Sequence, residues 1–210
     1  MTFNIIGSIL PEVTIAVAIC MVILVNSLLR NASVTLIHSL VLFFLSFALF
    51  LSFVSLELPD SNIFDGHYVI DTFGTNLKII ALIAATLVHL GSFKSKQNIK
   101  NEIFLIQLFA TLGVMILCSA HNLLTVYLGL ETLTLSMYGI VASNRNSIEA
   151  TESAMKFFIL GAIASAIFLY GVSILYGVTG TLSVSGSSVL ADGVECRLRV
   201  LSEDGTLLNN

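Results

Sequence analysis

Apolar residues run in long blocks along this chain, and polar residues collect in short segments between them. A helix needs about 20 mainly apolar residues to cross a hydrocarbon core of roughly 30 Å. Six stretches meet that scale: 10–29, 34–56, 72–92, 103–120, 123–142 and 153–178. The first is interrupted only by Glu12 near its start, and the second carries no acid or base except His38. The third has Lys78 in its weaker first part, followed by an unbroken apolar run from Ile79 to Val88. Only His121 and Asn122 separate the fourth from the fifth, which predicts a tight helical hairpin. The expected fold class is all-α, a polytopic bundle of six transmembrane spans. An open sheet in the bilayer would leave backbone groups unpaired.

Composition agrees with that pattern. Hydrophobic residues make up 56% of the 210 and charged residues 10%, against roughly a quarter charged in soluble domains. So few charges could not cover a water-exposed fold, which excludes a soluble enzyme. A net charge of -4 with no basic run argues against nucleic acid as a partner. Cys20, Cys118 and Cys196 have neither pairing nor metal-ligand spacing. No basic segment precedes the first apolar block, so it is expected to be a retained span and not a cleaved signal.

Lys and Arg concentrate on the cytoplasmic side of membrane proteins. With the N-terminus outside, Arg30, Lys94, Lys96, Lys100 and Arg145 all fall in cytoplasmic loops. The outer loop before the third span carries Glu57, Asp60, Asp65 and Asp71 instead, together with His67, to which no role is assigned. Residues 1–185 are therefore expected to form the bundle, N-terminus out. Residues 186–210, with Asp192, Glu195, Arg197, Arg199, Glu203 and Asp204, are expected to be a poorly ordered hydrophilic tail outside it.

A charge deep in a bilayer costs about 2.5–3.5 kcal/mol on insertion scales and calls for a reason. Glu131 lies eight residues past Leu123, about 12 Å into the fifth span, with no base within a helical turn. Such a carboxylate either takes up a proton or faces a cation on another helix, and both suit a proton relay. The plainer alternative is a permanently neutral Glu bonded to a neighbouring helix. Lys156 can snorkel and pair with Glu152 at i,i+4, or it can serve in the proton path. Lys78 and Asp71, seven apart, read as a membrane-edge anchor pair, with a functional role as the alternative. His121, in the turn before the fifth span, is a candidate for proton entry or simply a solvated turn residue.

His38 and His89 fall toward the same side of the membrane, where two histidines could be axial ligands of a haem in an electron carrier. A polar packing role is the favoured reading of this pair. In the sixth span Gly161, Ala162, Ala164, Ser165, Ala166, Gly171 and Gly177 would let other helices approach closely.

Several segments together carry a family resemblance. The runs Phe109-Ala-Thr-Leu-Gly-Val-Met115, Ser119-Ala-His-Asn-Leu-Leu-Thr-Val-Tyr-Leu-Gly-Leu-Glu131 and Leu133 to Tyr138 resemble the fourth and fifth spans of the subunit N family of bacterial NADH-quinone oxidoreductase, respiratory complex I. Glu152-Ser-Ala-Met-Lys-Phe-Phe-Ile-Leu-Gly-Ala-Ile-Ala-Ser165 and Leu169 to Gly180 are similar to its sixth span. The resemblance is strongest over 104–182, weaker before Ser92, and not visible from Gly186 onward. It implies a proton-translocating subunit of the bacterial inner membrane that packs among other membrane-arm subunits. Glu131 and Lys156 would lie on the proton path, with Lys78, Asp71 and His121 as secondary candidates. It implies no cofactor in this chain; NADH, FMN, iron-sulfur clusters and quinone would belong to other subunits. Subunits of multisubunit sodium/proton antiporters are related, and provide an alternative function.

The departures from the family pattern also matter. Family members continue beyond six spans into two inverted repeats with lysines in broken helices, and the lysine expected to face Glu131 is absent here. The expectation is a truncated, frameshifted or split subunit that cannot complete a proton path alone. A purely structural membrane component is the remaining alternative.

Overall fold

The computed structural model describes residues 2–28, 33–56, 61–63, 68–94, 101–143 and 147–184. The expected tail at 186–210 lies outside them, as do Arg30, Lys96, Lys100, Arg145, Glu57, Asp60, Asp65, His67 and Cys196. Six helices follow in order: α1 (Thr2–Leu28), α2 (Val34–Ser55), α3 (Thr72–Lys94), α4 (Asn101–Cys118), α5 (Leu123–Val141) and α6 (Ile148–Thr179). Between α2 and α3, β1 (Ser61–Ile63) pairs antiparallel with β2 (Tyr68–Ile70), Asn62 opposite Val69. This hairpin sits in the connection, so the membrane part of the fold is all-α.

Five helices are long and apolar enough to span a bilayer. The shorter one is α4, whose 18 residues rise about 27 Å against a core of roughly 30 Å. The six expected spans are thus six helices, five of which qualify on length and composition. α4 packs along α5, as a connection of only four residues, Ser119 to Asn122, dictates.

Helix ends follow capping chemistry. Ser33 and Ser147 accept bonds from the amides of Leu36 and Ala150, and Asn122 accepts from Leu124. The Ser147 cap starts α6 five residues before the apolar stretch begins. Gly180, at φ 70°, ends it in the left-handed conformation that glycine adopts without penalty.

The core joins α1–α4. Ile15, Ala18, Ile19 and Val22 give α1 a helical-period stripe, and Ile37, Val41, Leu45 and Ala48 give α2 another. Leu82 and Phe104, Leu108 and Met115 close it from α3 and α4. α6 stands apart, resting on α5 with none of its residues buried.

Candidate ionisable sites

Glu131 faces α6 from the middle of α5. Ser165 of α6 donates its hydroxyl to Glu131 Oε1, and Tyr127, one turn back on α5, hydrogen-bonds the same carboxylate. A cavity of about 210 Å3 opens beside them, lined also by Thr134, Tyr138, Ala164 and Phe168. It has room for several waters, and its lining is mostly apolar, with Glu131 and the hydroxyl-bearing Tyr127, Thr134, Tyr138 and Ser165 set into it. Tyr127 is stacked on Phe168, their ring centroids 6.1 Å apart, so the hydroxyl at Glu131 is held by aromatic packing across the helix pair.

The floor of this cavity depends on Gly161. A methyl group there would fall on the Tyr138 hydroxyl, which is wedged edge-on between Phe157 and Phe158 at centroid distances of 5.2 and 5.6 Å. Gly161→Ala is expected to swing Tyr138 out of that wedge and to alter the cavity, leaving α1–α4 intact. Tyrosine fluorescence of the purified chain should change in this variant, and should stay constant in Gly171→Ala, where a methyl group would meet nothing within 4 Å.

A larger cavity of about 360 Å3 between α4 and α5 has no titratable lining. Its hydroxyls, Thr132 and Ser136, are bonded to carbonyls of their own helix. It offers space without acid–base chemistry.

The second ionisable site was not anticipated. Lys78 of α3 reaches across to Glu12 of α1, Nζ to Oε1 2.6 Å, with the residues only 2% and 7% exposed. Lys78 therefore belongs to the bundle interior and not to a membrane edge. Asp71 is the N-cap of α3: its carboxylate accepts from the Gly74 amide at 2.8 Å, and its carbonyl from the Thr75 amide and hydroxyl. Cys118, at the end of α4, lies within electrostatic reach of both Glu12 and Lys78. A signal for the pair was present in the sequence. Alternating spans put the starts of the first and third on one side of the membrane, so Glu12 and Lys78 lie at similar depth with opposite charge.

Lys156 pairs with Glu152 at 2.6 Å, both side chains well exposed, which is the i,i+4 surface arrangement. The structure does not bring Lys156 to Glu131. His121 lies in the α4–α5 turn, where its carbonyl accepts from the Val184 amide. The Leu123 amide bonds to the Leu182 carbonyl, and Asn122 bridges Ser183, so the chain leaving α6 folds back onto this turn.

The two histidines stack on each other, 4.4 Å between centroids and 15° between planes. His89 Nε2 meets the His38 carbonyl at 3.3 Å, its Nδ1 meets Gln107 Oε1 at 3.4 Å, and Phe104 packs edge-on against it. Rings in direct contact leave no gap for a porphyrin, so they do not fit a haem held between them. Among the described residues no three His, Cys, Asp or Glu side chains converge as metal ligands.

Apolar helices around an α1–α4 core that encloses the Glu12–Lys78 ion pair, with Glu131 at the α5–α6 contact, define a multi-pass membrane protein. The family model for the transmembrane part of NADH:quinone oxidoreductase and Mrp antiporters matches residues 120–201, so the likeness extends past Gly186, where the sequence motifs end. NADH-quinone oxidoreductase subunit N of Alkalilimnicola ehrlichii is 40% identical over 185 residues, covering 87% of this chain and 38% of that protein. Its counterpart in Nitrosomonas europaea is 50% identical over 122 residues, covering 57% of this chain and 25% of that protein. A chain of the Thermus thermophilus respiratory complex I structure with bound aureothin superposes with a TM-score of 0.70 at 28% identity, over 83% of this chain and 38% of that one. A chain of the archaeal membrane-bound sulfane sulfur reductase shares the fold, with a TM-score of 0.75 at 21% identity over 92% of this chain and 41% of that one. The chain is a homologue of NADH-quinone oxidoreductase subunit N, in the antiporter-like transmembrane family. It spans about two-fifths of the length of the relatives that match most of it.

Proposed function

We propose that this chain serves proton translocation in the membrane arm of an NADH-quinone oxidoreductase, seated in the bacterial inner membrane among the other membrane-arm subunits. The observation that carries this reading is Glu131, a mid-span carboxylate bonded by Ser165 and Tyr127 beside a cavity, in a subunit N homologue. Ionised Glu131 accepts from both hydroxyls. Protonated, it can turn its own proton toward the cavity, and a positive charge approaching or leaving the α5–α6 face shifts the balance between the two states. Lys156 is outside this exchange, being held by Glu152 at the helix surface, and His121 sits at the turn nearest the start of α5. NADH oxidation and quinone reduction belong to other subunits of the assembly, and the chain itself holds no redox group in this reading. Nucleic acid has no place in it.

The test is co-purification of an N-terminally tagged chain with the membrane arm from its own cells, followed by NADH-driven proton uptake in vesicles. Glu131→Gln is expected to assemble normally and to lower the proton uptake per NADH oxidised. Failure of the wild-type chain to assemble leaves a structural membrane component without transport. The family model also covers Mrp antiporters, and sodium-dependent proton movement without NADH would favour that reading.

A further inference from the structure

One face of α3 carries Asp71, Thr75 and Lys78 at i, i+4 and i+7, pointing in one direction along the helix. Exposure falls along it: Asp71 is partly exposed at the helix mouth, Thr75 is 3% exposed, and Lys78 is 2% exposed and bonded to Glu12. The end of α4 closes the same region, with the Cys118 carbonyl packed where a Gly74 side chain would stand. Beyond Lys78 the core is apolar, with Leu82, Leu108 and Met115 among its buried side chains. A row of polar side chains thus leads from the α4–α5-turn end of the bundle, through Thr75, whose hydroxyl bonds the Asp71 carbonyl, to a buried ion pair. A clamp between α1 and α3 needs no such row. Apolar residues of similar volume would pack there at equal or lower cost, since a buried ion pair is weak evidence for stability.

We propose that Glu12 and Lys78 form a second proton-exchange site, reached from the α4–α5-turn end along the Asp71–Thr75–Lys78 face and separate from the Glu131 cavity. A hydronium ion at Asp71 passes its proton inward to a Glu12 oxygen; one O–H bond forms on Glu12, one breaks on the hydronium, and water remains. The site goes from net zero to one positive charge, carried by Lys78, and the reverse transfer restores it. The pair accordingly keeps its proton count until acidification, or a negative charge drawn up to Lys78, makes the extra proton tolerable. Cys118 lies within electrostatic reach of both partners, Asp71 stands two turns before Lys78 on α3, and α2 brings the buried hydroxyls of Ser52 and Ser55 to this end. The site stands whatever role Glu131 has.

The test is infrared difference spectroscopy of the reconstituted chain across a pH titration, with circular dichroism as the check on folding. The protonated-carboxyl band that grows on acidification is expected to contain a component, present in wild type and in Glu131→Gln, that is missing from the neutral double variant Glu12→Gln/Lys78→Gln. After a pH jump, Thr75→Val should slow the appearance of that band severalfold and leave its midpoint in place. Identical spectra for wild type and the double variant would mean a permanently ionised clamp and would overturn the proposal. An unchanged rate in Thr75→Val would overturn the route. Should the double variant not fold, Glu12→Asp, which draws the carboxylate back from Lys78, must move the midpoint of the band; a fixed midpoint counts against the site.

Discussion

Lys78→Gln alone is expected to cost about 3–5 kcal/mol of stability, the usual result of leaving a buried charge without its partner. Glu12 is 7% exposed in an apolar bundle, and with the ammonium gone its carboxylate must either ionise at high cost or take a proton. Glu12→Gln alone is expected to cost as much, since it strands the ammonium of Lys78, which is 2% exposed. The double variant should recover most of the loss, because two amides bond each other without either carrying a charge. A double-mutant cycle on unfolding in mixed micelles measures the coupling, and additive single losses would show that the 2.6 Å contact contributes nothing. Glu152→Gln serves as the control. Its partner Lys156 is held in an exposed i,i+4 pair, and exposed pairs contribute little.

Gly113→Val is expected to disrupt the α4–α5 hairpin more than any other single change on that interface. A Cβ at position 113 would stand 2.9 Å from the backbone nitrogen of Leu133 and 3.0 Å from the Gly129 carbonyl oxygen. Backbone cannot swing aside as a side chain can, so the helices must separate, and overpacking of this kind costs about 1–3 kcal/mol, occasionally more. The approach is reciprocal: a Cβ on Gly129 would meet the Leu117 side chain at 2.8 Å and the Gly113 carbonyl oxygen at 3.2 Å. Gly113→Ala should show a graded, smaller version of the same loss. The separation can be read as a fall in the short-linker cross-linking yield between cysteines placed at 106 and 139, which face each other across the hairpin. Gly177→Ala should leave melting unchanged or raise it slightly, because a methyl group there meets nothing within 4 Å and alanine is the better helix former.

These two expectations fall at places the linear pattern treats differently. Glu12 and Lys78 are single interruptions in separate apolar stretches, linked in the sequence only by similar depth and opposite charge. Gly113 and Gly129 look no more important than Gly161, Gly171 and Gly177, the small residues on which close packing was expected to depend. In the structure Gly161 meets Tyr138, Gly171 and Gly177 face open space, and the tight crossing belongs to the α4–α5 pair. Periodicity locates an apolar face, but which neighbour covers it is decided by how helices far apart in sequence are arranged.

What the sequence determined by itself is what depends on local rules. The membrane class follows from mean hydropathy and from the length of each apolar block, and the helix bounds follow within two residues except at the starts of α1 and α6, which lie eight and five residues before their apolar stretches. The α4–α5 hairpin follows from the two residues that separate the fourth and fifth apolar stretches, and the isolation of Glu131 on α5 from the absence of a base within a turn of it. The tertiary structure alone decided the partners: Ser165 for Glu131, Glu12 for Lys78, His38 for His89, and the 181–184 segment for the α4–α5 turn. Hydrophobicity has no direction and is satisfied by lipid or by any apolar neighbour, whereas a hydrogen bond or an ion pair needs one particular atom within about 3 Å, and only the packed bundle brings those atoms together.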